Sequence, residues 1–171
     1  MGTIKTVDEL ISRLKQKSPV ENYLDIMEHI DIPLREFEKY YTWNKERCSR
    51  NCLVKTEDFE LLLICYEKNQ QTPIHDFDSN QAWIHIIQGQ LSEERFRVSE
   101  FGKSLERLSL MTLGVKDYSF MSKVGIHRYK NINNARSVSL NLYCKPIESW
   151  TLFDENAKSK EVKVSHDSVY V

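Results

Sequence analysis

Residues 48–77 read CSRNCLVKTEDFELLLICYEKNQQTPIHDF. Three apolar-rich runs, 48–55, 59–67 and 74–77, are separated there by the polar stretches TED and KNQQTP. Runs of this length that are rich in branched and aromatic residues and bounded by turn-forming residues are typical of β-strands. The stretch therefore predicts strands joined by short polar turns in an antiparallel sheet.

The same pattern continues to the end of the chain, with polar turns between the apolar-rich runs. Short strands at such regular spacing favour a sandwich or a barrel. No internal repeat or low-complexity linker interrupts them. The further predicted strands are AWIHIIQ (82–88), LSEERFRV (91–98), SLERLSLMTLG (104–114), KVGIHRYK (123–130), RSVSLNLYC (136–144) and KEVKVSHDSVYV (160–171).

Before residue 48, apolar residues recur at the spacing of a helix. Thr6 to Glu9 and Ser18 to Glu21 fit capping boxes at helix N-termini, and Pro33 opens a third, short helix. We therefore expect one mainly β domain over residues 1–171. In it, residues 1–45 form a short helical segment packed on a barrel of residues 46–171.

Composition restricts the classes of partner. The formal net charge is −1 and basic residues are scattered, so nucleic acid is not the expected partner. The longest apolar run, Leu61 to Cys65, is far shorter than the ~20 residues of a membrane span. The four cysteines form no CxxC pair, which favours reduced thiols and a cytoplasmic location, with no membrane partner.

Strand RSVSLNLYC alternates two kinds of side chain. Val138, Leu140 and Leu142 share one face, and the polar face has Ser139, Asn141 and Tyr143. Periodicity leaves two interpretations open for the polar face. It either meets water on an outer strand or lines a barrel, where its hydroxyl and amide groups orient a ligand.

Two histidines lie on predicted strands. In IHDF, His75 and Phe77 share a face, and His127 lies on the later strand GIHRYK. Histidine is a good ligand for first-row transition metals, although an isolated pair is more often hydrogen-bonded and structural. His29 and His166 have no such partner in the sequence and receive no role.

Several blocks, in this order, resemble the type I cysteine dioxygenase family of the cupin superfamily. The resemblance rests on TPIHDFDSNQAWIHIIQG (72–89), GIHRYKN (125–131) and SVSLNLYCKPI (137–147). It extends upstream through WNKERCSRNCLV and FELLLICYE, and downstream through LFDENAKSKEVKV. Colinear blocks over most of the chain are far more specific than one motif.

This resemblance implies a cupin jelly-roll β-barrel that binds Fe(II) through three histidines and oxidises the thiol of cysteine to the sulfinate with O2. No organic cofactor is implied. The first and last metal histidines of the family fall on His75 and His127. The arginine that binds the substrate carboxylate falls on Arg50, whose planar guanidinium suits paired hydrogen bonds. The family's inward serine, histidine and tyrosine fall on Ser139, Asn141 and Tyr143.

The sequence departs from the family at three of these places. Asn141 replaces a histidine and cannot titrate as one, although its amide can still hold the hydroxyl of Tyr143. Ala82 stands where some members have a cysteine crosslinked to the tyrosine. Phe77 stands at the middle metal histidine and cannot ligate iron.

The third metal ligand therefore stays open. Asp78, Gln81 and His85 are candidates, and the absence of any third protein ligand is the alternative. Strand parity argues against His85, because Ala82 on the inward face puts Gln81, Trp83 and His85 on the outward face.

Three functions follow from these residues. The first is an iron-dependent thiol dioxygenase, with His75 and His127 on the metal, Arg50 and Tyr143 on the substrate, and Ser139 and Asn141 in support. The second is a catalytically altered cupin that binds a small amino acid or thiol without turnover. A different metal reaction on the same barrel is the third.

Overall fold

A computed structural model describes residues 2–18, 22–122 and 125–170 of the chain. It divides into two compact units, Met1–Tyr41 and Thr42–Val171. The first unit contains the helices and the second contains the strands. The expected packing of the helices on the barrel stays a prediction.

The helical unit begins with α1, Val7–Lys15, whose residues Val7, Leu10 and Leu14 are buried. Thr6 caps it as predicted, since its hydroxyl accepts a hydrogen bond from the backbone N–H of Glu9 at 3.1 Å. Two short helices follow, α2 (Tyr23–Met27) and α3 (Arg35–Glu38). Along the described ranges, no helix is long and apolar enough to cross a membrane.

The second predicted capping box falls partly on residues 19–21, which lie outside the described residues. Asn22 is the N-cap of α2, and its side chain and that of Asp25 bond reciprocally to the backbone N–H groups.

Twelve strands form two six-stranded sheets in the described part of the barrel unit. One sheet has the order β12-β1-β2-β9-β4-β7 and the other has the order β11-β10-β3-β8-β5-β6. The strands are β1 Ser49–Lys55, β2 Phe59–Tyr66, β3 Ile74–Phe77, β4 Gln81–Gln88, β5 Leu91–Val98, β6 Leu105–Leu113, β7 Tyr118–Met121, β8 Ile126–Asn131, β9 Ser137–Cys144, β10 Ser149–Phe153, β11 Ser159–Lys163 and β12 Ser168–Val169.

The mainly β class and the antiparallel pairing are confirmed, apart from the parallel pair of β1 and β12. Strands β7 and β10 were not predicted. The run predicted as one strand over residues 160–171 is two short strands, β11 and β12. The second of these lies in the other sheet, beside β1.

Strand register determines which side chains meet inside the barrel. In an antiparallel pair, directly opposite residues project to the same face. His75 lies opposite His127, and Tyr143 lies opposite Ala82. Ser139, Asn141 and Tyr143 are at most 4% exposed, so the interpretation that this face meets water is wrong. The apolar face of β9 is buried as well.

Candidate functional site

A cavity of about 220 Å³ opens between the two sheets of the barrel. Its volume suits a small molecule rather than a polymer or a large cofactor. Side chains of both sheets and of the segment after β11 form its wall. The lining residues include Arg50, Ile64, Tyr66, His75, His127, Tyr129, Asn141, Tyr143, Trp150, Val164 and Ser165.

The two histidines predicted as metal ligands meet in this cavity. Their ring centroids are 4.4 Å apart. The Nδ1 atom of His75 lies 2.9 Å from the carbonyl oxygen of Pro73, and that of His127 lies 2.6 Å from the carbonyl oxygen of Gly125. A carbonyl can only accept, so Nδ1 carries the proton and donates in both rings. Nε2 is then the atom that each imidazole can offer to a metal.

Burial keeps both imidazoles uncharged. It lowers the pKa of His127 to about 4. The pKa of His75 is also well below its ordinary value, because of burial and the nearby His127. A metal can therefore bind either ring near neutral pH without first displacing a proton.

Phe77 lies two residues after His75 on β3, on the same face of the strand, and is 3% exposed. Its ring centroid lies 5.3 Å from that of His127 and 5.3 Å from that of Tyr143, and both contacts are nearly perpendicular. Edge-to-face contacts of this kind are favourable between aromatic rings. The donor set for a family-type metal centre is thus two imidazoles, with a packed phenyl ring in place of the third.

None of the three candidate replacements for the third ligand lines the cavity. Asp78 is exposed, and its Oδ1 accepts from the backbone N–H of Glu148 at 3.3 Å. Gln81 is exposed as well, and His85 pairs with Tyr118 on β7. Ala82, Ile84 and Ile86 instead belong to the barrel core, in agreement with the predicted parity of β4.

Arg50 brings a buried positive charge to the cavity. It is 6% exposed, and its guanidinium carbon lies 4.5 Å from the centre of the Trp150 ring. Nε, Nη1 and Nη2 have no hydrogen-bond partner within residues 2–18, 22–122 and 125–170. Buried polar groups almost always have hydrogen-bond partners. The N–H donors of a guanidinium are spaced to bond both oxygens of a carboxylate. The arrangement is therefore suited to a small carboxylate in the cavity.

The polar face of β9 forms one directed chain of hydrogen bonds. Ser139 Oγ donates to Asn141 Oδ1 at 2.7 Å, and Asn141 Nδ2 donates to the hydroxyl oxygen of Tyr143 at 3.1 Å. The Tyr143 oxygen thus accepts from the amide, and its own proton is free to donate into the cavity. Burial raises the pKa of Tyr143, so its phenol stays protonated.

Sequence reasoning missed several residues of the cavity wall. Trp150 was missed because β10 was not recognised as a strand. Tyr66 lies at the end of β2, on the face of Ile64, and is fully buried. Its position two residues after Ile64 was a usable signal, whereas nothing local marks Val164 and Ser165 as lining residues.

Comparison with known proteins finds similar sequences over most of the chain. A family model described as Cysteine dioxygenase type I matches residues 2–156. Cysteine dioxygenase type 1 of Homo sapiens is 27% identical over 169 residues, which cover 91% of this chain and 82% of that protein. The Danio rerio protein of the same name is 26% identical over 162 residues, 88% of this chain and 80% of that protein.

A solved structure supports the fold. A conserved Klebsiella pneumoniae protein with a double-stranded β-helix domain matches with a TM-score of 0.54 at 10% identity, over 74% of this chain and 86% of that chain. At this identity the likeness concerns the fold alone. It confirms the expected cupin barrel, which is a double-stranded β-helix.

Proposed function

This chain belongs to the cysteine dioxygenase type I family, and from that premise we propose that it is a non-haem iron enzyme that oxidises a small carboxylate-bearing thiol, most simply cysteine, with O2. The thiol RSH and O2 would yield the sulfinate RSO2⁻ and one proton. The substrates are a small thiol and O2, and the protein would act in the reducing cytoplasm. Its four cysteines are all free, which agrees with that compartment.

The observation that carries this proposal is the buried guanidinium of Arg50, which has no hydrogen-bond partner among the described residues and lines the same cavity as two neutral imidazoles. A buried cation without a hydrogen-bond partner is costly. A substrate carboxylate would remove this cost by paired hydrogen bonds and would fix the orientation of the rest of the molecule. The cavity of about 220 Å³ then brings the thiol end of a cysteine-sized ligand near the histidines.

His75 and His127 would hold the metal through Nε2. When bound, Fe(II) supplies the redox chemistry by which O2 adds to the substrate sulfur. The substrate thiolate and amine would offer further donors, which a centre with only two protein imidazoles requires. Phe77 contributes no donor and instead keeps this side of the centre apolar.

Tyr143 would donate a hydrogen bond from its phenol O–H to the bound substrate and keep its proton. The donor chain from Ser139 through Asn141 orients the hydroxyl toward the cavity. An amide does not exchange a proton as an imidazole does, so Asn141 orients Tyr143 and relays no proton. The buried wall excludes bulk water from the reacting groups.

Phe77 also favours a second candidate function, the binding of a small amino acid or thiol without turnover. The ring packs between His127 and Tyr143, where the family's third imidazole would be. A barrel that kept Arg50 while losing a metal ligand would keep carboxylate recognition and lose oxidation.

Metal analysis and oxygen uptake distinguish the two functions. Untagged protein is grown in iron-rich medium, its iron is measured, and O2 consumption and sulfinate formation are followed with cysteine. About one iron per chain with sulfinate formation supports the enzyme. Cysteine binding by iron-supplied protein that consumes no O2 supports the binding module. Protein that neither binds nor oxidises cysteine contradicts both.

A further inference from the structure

Three different donor groups meet in the barrel unit apart from the cavity. They are the thiol of Cys52 on β1, the carboxylate of Glu60 on β2 and the imidazole of His166 before β12. One ligand atom of each lies within 4.8 Å of the ligand atoms of the others. None of the three residues lines the cavity of His75 and His127.

The burial of this cluster needs a physical explanation. Glu60 is fully buried, Cys52 is 1% exposed, and the His166 side chain is 16% exposed. Glu60 Oε1 and His166 Nε2 lie 2.6 Å apart, yet neither atom makes a hydrogen bond within the described ranges. The other carboxylate oxygen accepts only a long bond, 3.4 Å, from the backbone N–H of Ile147. At this separation the two atoms form an ion pair if His166 is protonated, and with the thiol of Cys52 close by they also suit a common metal ion.

Backbone contacts hold the three groups in place. Asp167 donates its backbone N–H to the carbonyl of Arg50 at 2.8 Å, and its carboxylate accepts from the backbone N–H of Arg50 at 2.8 Å. Tyr170 donates its backbone N–H to the carbonyl of Cys52 at 3.0 Å. These bonds fix the segment that carries His166 against β1, so the ligand atoms are pre-positioned.

We propose that Cys52, Glu60 and His166 bind a divalent transition-metal ion, with Zn²⁺ the best match. Sulfur, nitrogen and oxygen donors together suit zinc, and three protein ligands leave a fourth position for water. Tetrahedral zinc bonds would place the ligand atoms about 3.3 to 3.6 Å from one another, so shifts of ~1 Å in these atoms would bring all three to zinc-binding distances.

Charge balance favours the metal over a plain ion pair. A thiolate and a carboxylate carry two negative charges, which one divalent cation neutralises while His166 stays neutral. In a plain pair of Glu60 with protonated His166, the thiol has no role. Burial, followed by the charge of Glu60, raises the pKa of Cys52 to about 11, so metal binding would release the thiol proton.

The test is the titration of metal-free protein with Zn²⁺, and with Co²⁺ as a coloured substitute. The variants are Cys52→Ala and His166→Ala. The control Cys65→Ala removes another buried thiol, on β2, that is not part of the cluster. A double variant, His75→Ala with His127→Ala, removes the proposed iron ligands and keeps the cluster.

We expect the double variant to bind one Zn²⁺, and wild type and Cys65→Ala to bind one Zn²⁺ at the cluster beside any ion held by His75 and His127. A thiolate-to-Co²⁺ charge-transfer band marks the cluster in each cobalt form, and Cys52→Ala and His166→Ala are also made in the double variant, so that only the cluster is titrated. Cys52→Ala abolishes this band. Cys52→Ala and His166→Ala each weaken Zn²⁺ binding by ~100-fold or more, which exceeds the loss expected from removing a residue that only hydrogen-bonds to a metal ligand. His166→Ala keeps the test informative if Cys52→Ala does not fold. Zinc binding that survives in folded His166→Ala and disappears in the double variant would overturn the proposal.

Discussion

Arg50 is a permanent cation in a buried position. The ring of Trp150 offers its π face to the guanidinium, and such a contact contributes only about 0.5 to 2 kcal/mol. This is less than the several kcal/mol that a buried ion loses in hydration. A bound anion would remove the remaining cost, so we expect Arg50 to favour carboxylate-bearing ligands.

Replacement of Arg50 by alanine should weaken cysteine binding by roughly 30-fold, about 2 kcal/mol, because a charged hydrogen-bonded pair is lost. Titration calorimetry measures the affinity. Arg97→Ala is the control, since Arg97 is exposed and pairs with Glu106 on the surface. Cysteamine, which has the thiol and amine of cysteine but no carboxylate, should bind wild type and Arg50→Ala alike. Equal cysteine affinity of the folded variant and wild type would show that Arg50 has no part in carboxylate recognition.

Phe77 is the residue at which this chain differs most from the family's metal site. Phe77→His adds an imidazole on the strand face of His75, two residues away, and should raise iron affinity. Loss of the ring contacts should lower the free energy of unfolding by ~1 to 3 kcal/mol. Phe77→Leu is the matched control, since it loses the ring without gaining a donor.

Iron titration and O2 uptake with cysteine are compared among wild type, Phe77→His and Phe77→Leu. Iron affinity should rise in Phe77→His alone. If two imidazoles are the whole protein ligand set, turnover should rise with it. A folded Phe77→His protein with no gain in iron affinity would contradict the inward placement of this side chain at the metal.

Strand elements were predictable where alternation was long and unbroken. In β9 the alternation correctly paired Ser139 with Asn141 and Tyr143, but it did not decide between water and the barrel interior. That choice depends on β2 and β4, which flank β9 on both sides and come from distant parts of the sequence. Strand β7 is only four residues long and β10 only five. Both strands form by pairing with neighbouring strands. The local sequence of a strand does not show which strands will lie beside it.

Glu94 on β5 connects three strands of one sheet. Its carboxylate accepts from Arg107 on β6 at 3.0 Å and from Arg128 on β8 at 2.7 Å. Burial alone would raise the pKa of Glu94, but the two guanidinium groups outweigh it and the pKa is lowered. The ionised carboxylate is therefore the form that stabilises the pairing of these strands.

Glu94→Gln should lower the free energy of unfolding at pH 7 by about 1 to 2 kcal/mol, through the loss of charge-assisted hydrogen bonds. A lowered pKa means that this contribution is complete above the ordinary glutamate pKa and is lost as pH falls through the folded-state value. Urea denaturation from pH 7 to pH 3 should therefore show the two proteins converging at the acidic end.

The control for this experiment is Glu106→Gln, because the pair of Glu106 and Arg97 is exposed. It should change the unfolding free energy by at most ~0.5 kcal/mol. A difference between wild type and Glu94→Gln that stays constant down to pH 3 would exclude the carboxylate charge as its cause.

At the scale of the whole molecule, the cavity joins the two sheets and the segment that follows β11. Residues 162–165 form part of its wall, and Asp167 bonds to the backbone of Arg50 on the far sheet. Two imidazoles, a guanidinium and a phenol thus reach one small volume from four different strands. The shape of the binding site is a property of the closed barrel.

Truncation after Val164 removes Ser165 from the wall and Asp167 from Arg50. Affinity for cysteine should fall by about tenfold or more, ~1.4 kcal/mol, because Arg50 loses the contact that holds its backbone. Calorimetry measures binding, and circular dichroism checks that the strands persist. Val169→Ala, at a side chain that is 63% exposed, is the control for the end segment and should bind as wild type. A folded truncated protein with wild-type affinity would exclude a role for this segment in binding.

The contact between Arg50 and Asp167 also bears on the order of events during folding. It joins residues 117 positions apart, whereas β-hairpins such as β5 and β6 close over short loops. Loop-closure entropy makes such distant contacts form late, so the sheets should gain their strand signal before the binding site is complete. After dilution from denaturant, the ability to bind cysteine should therefore return more slowly than the circular dichroism of the strands.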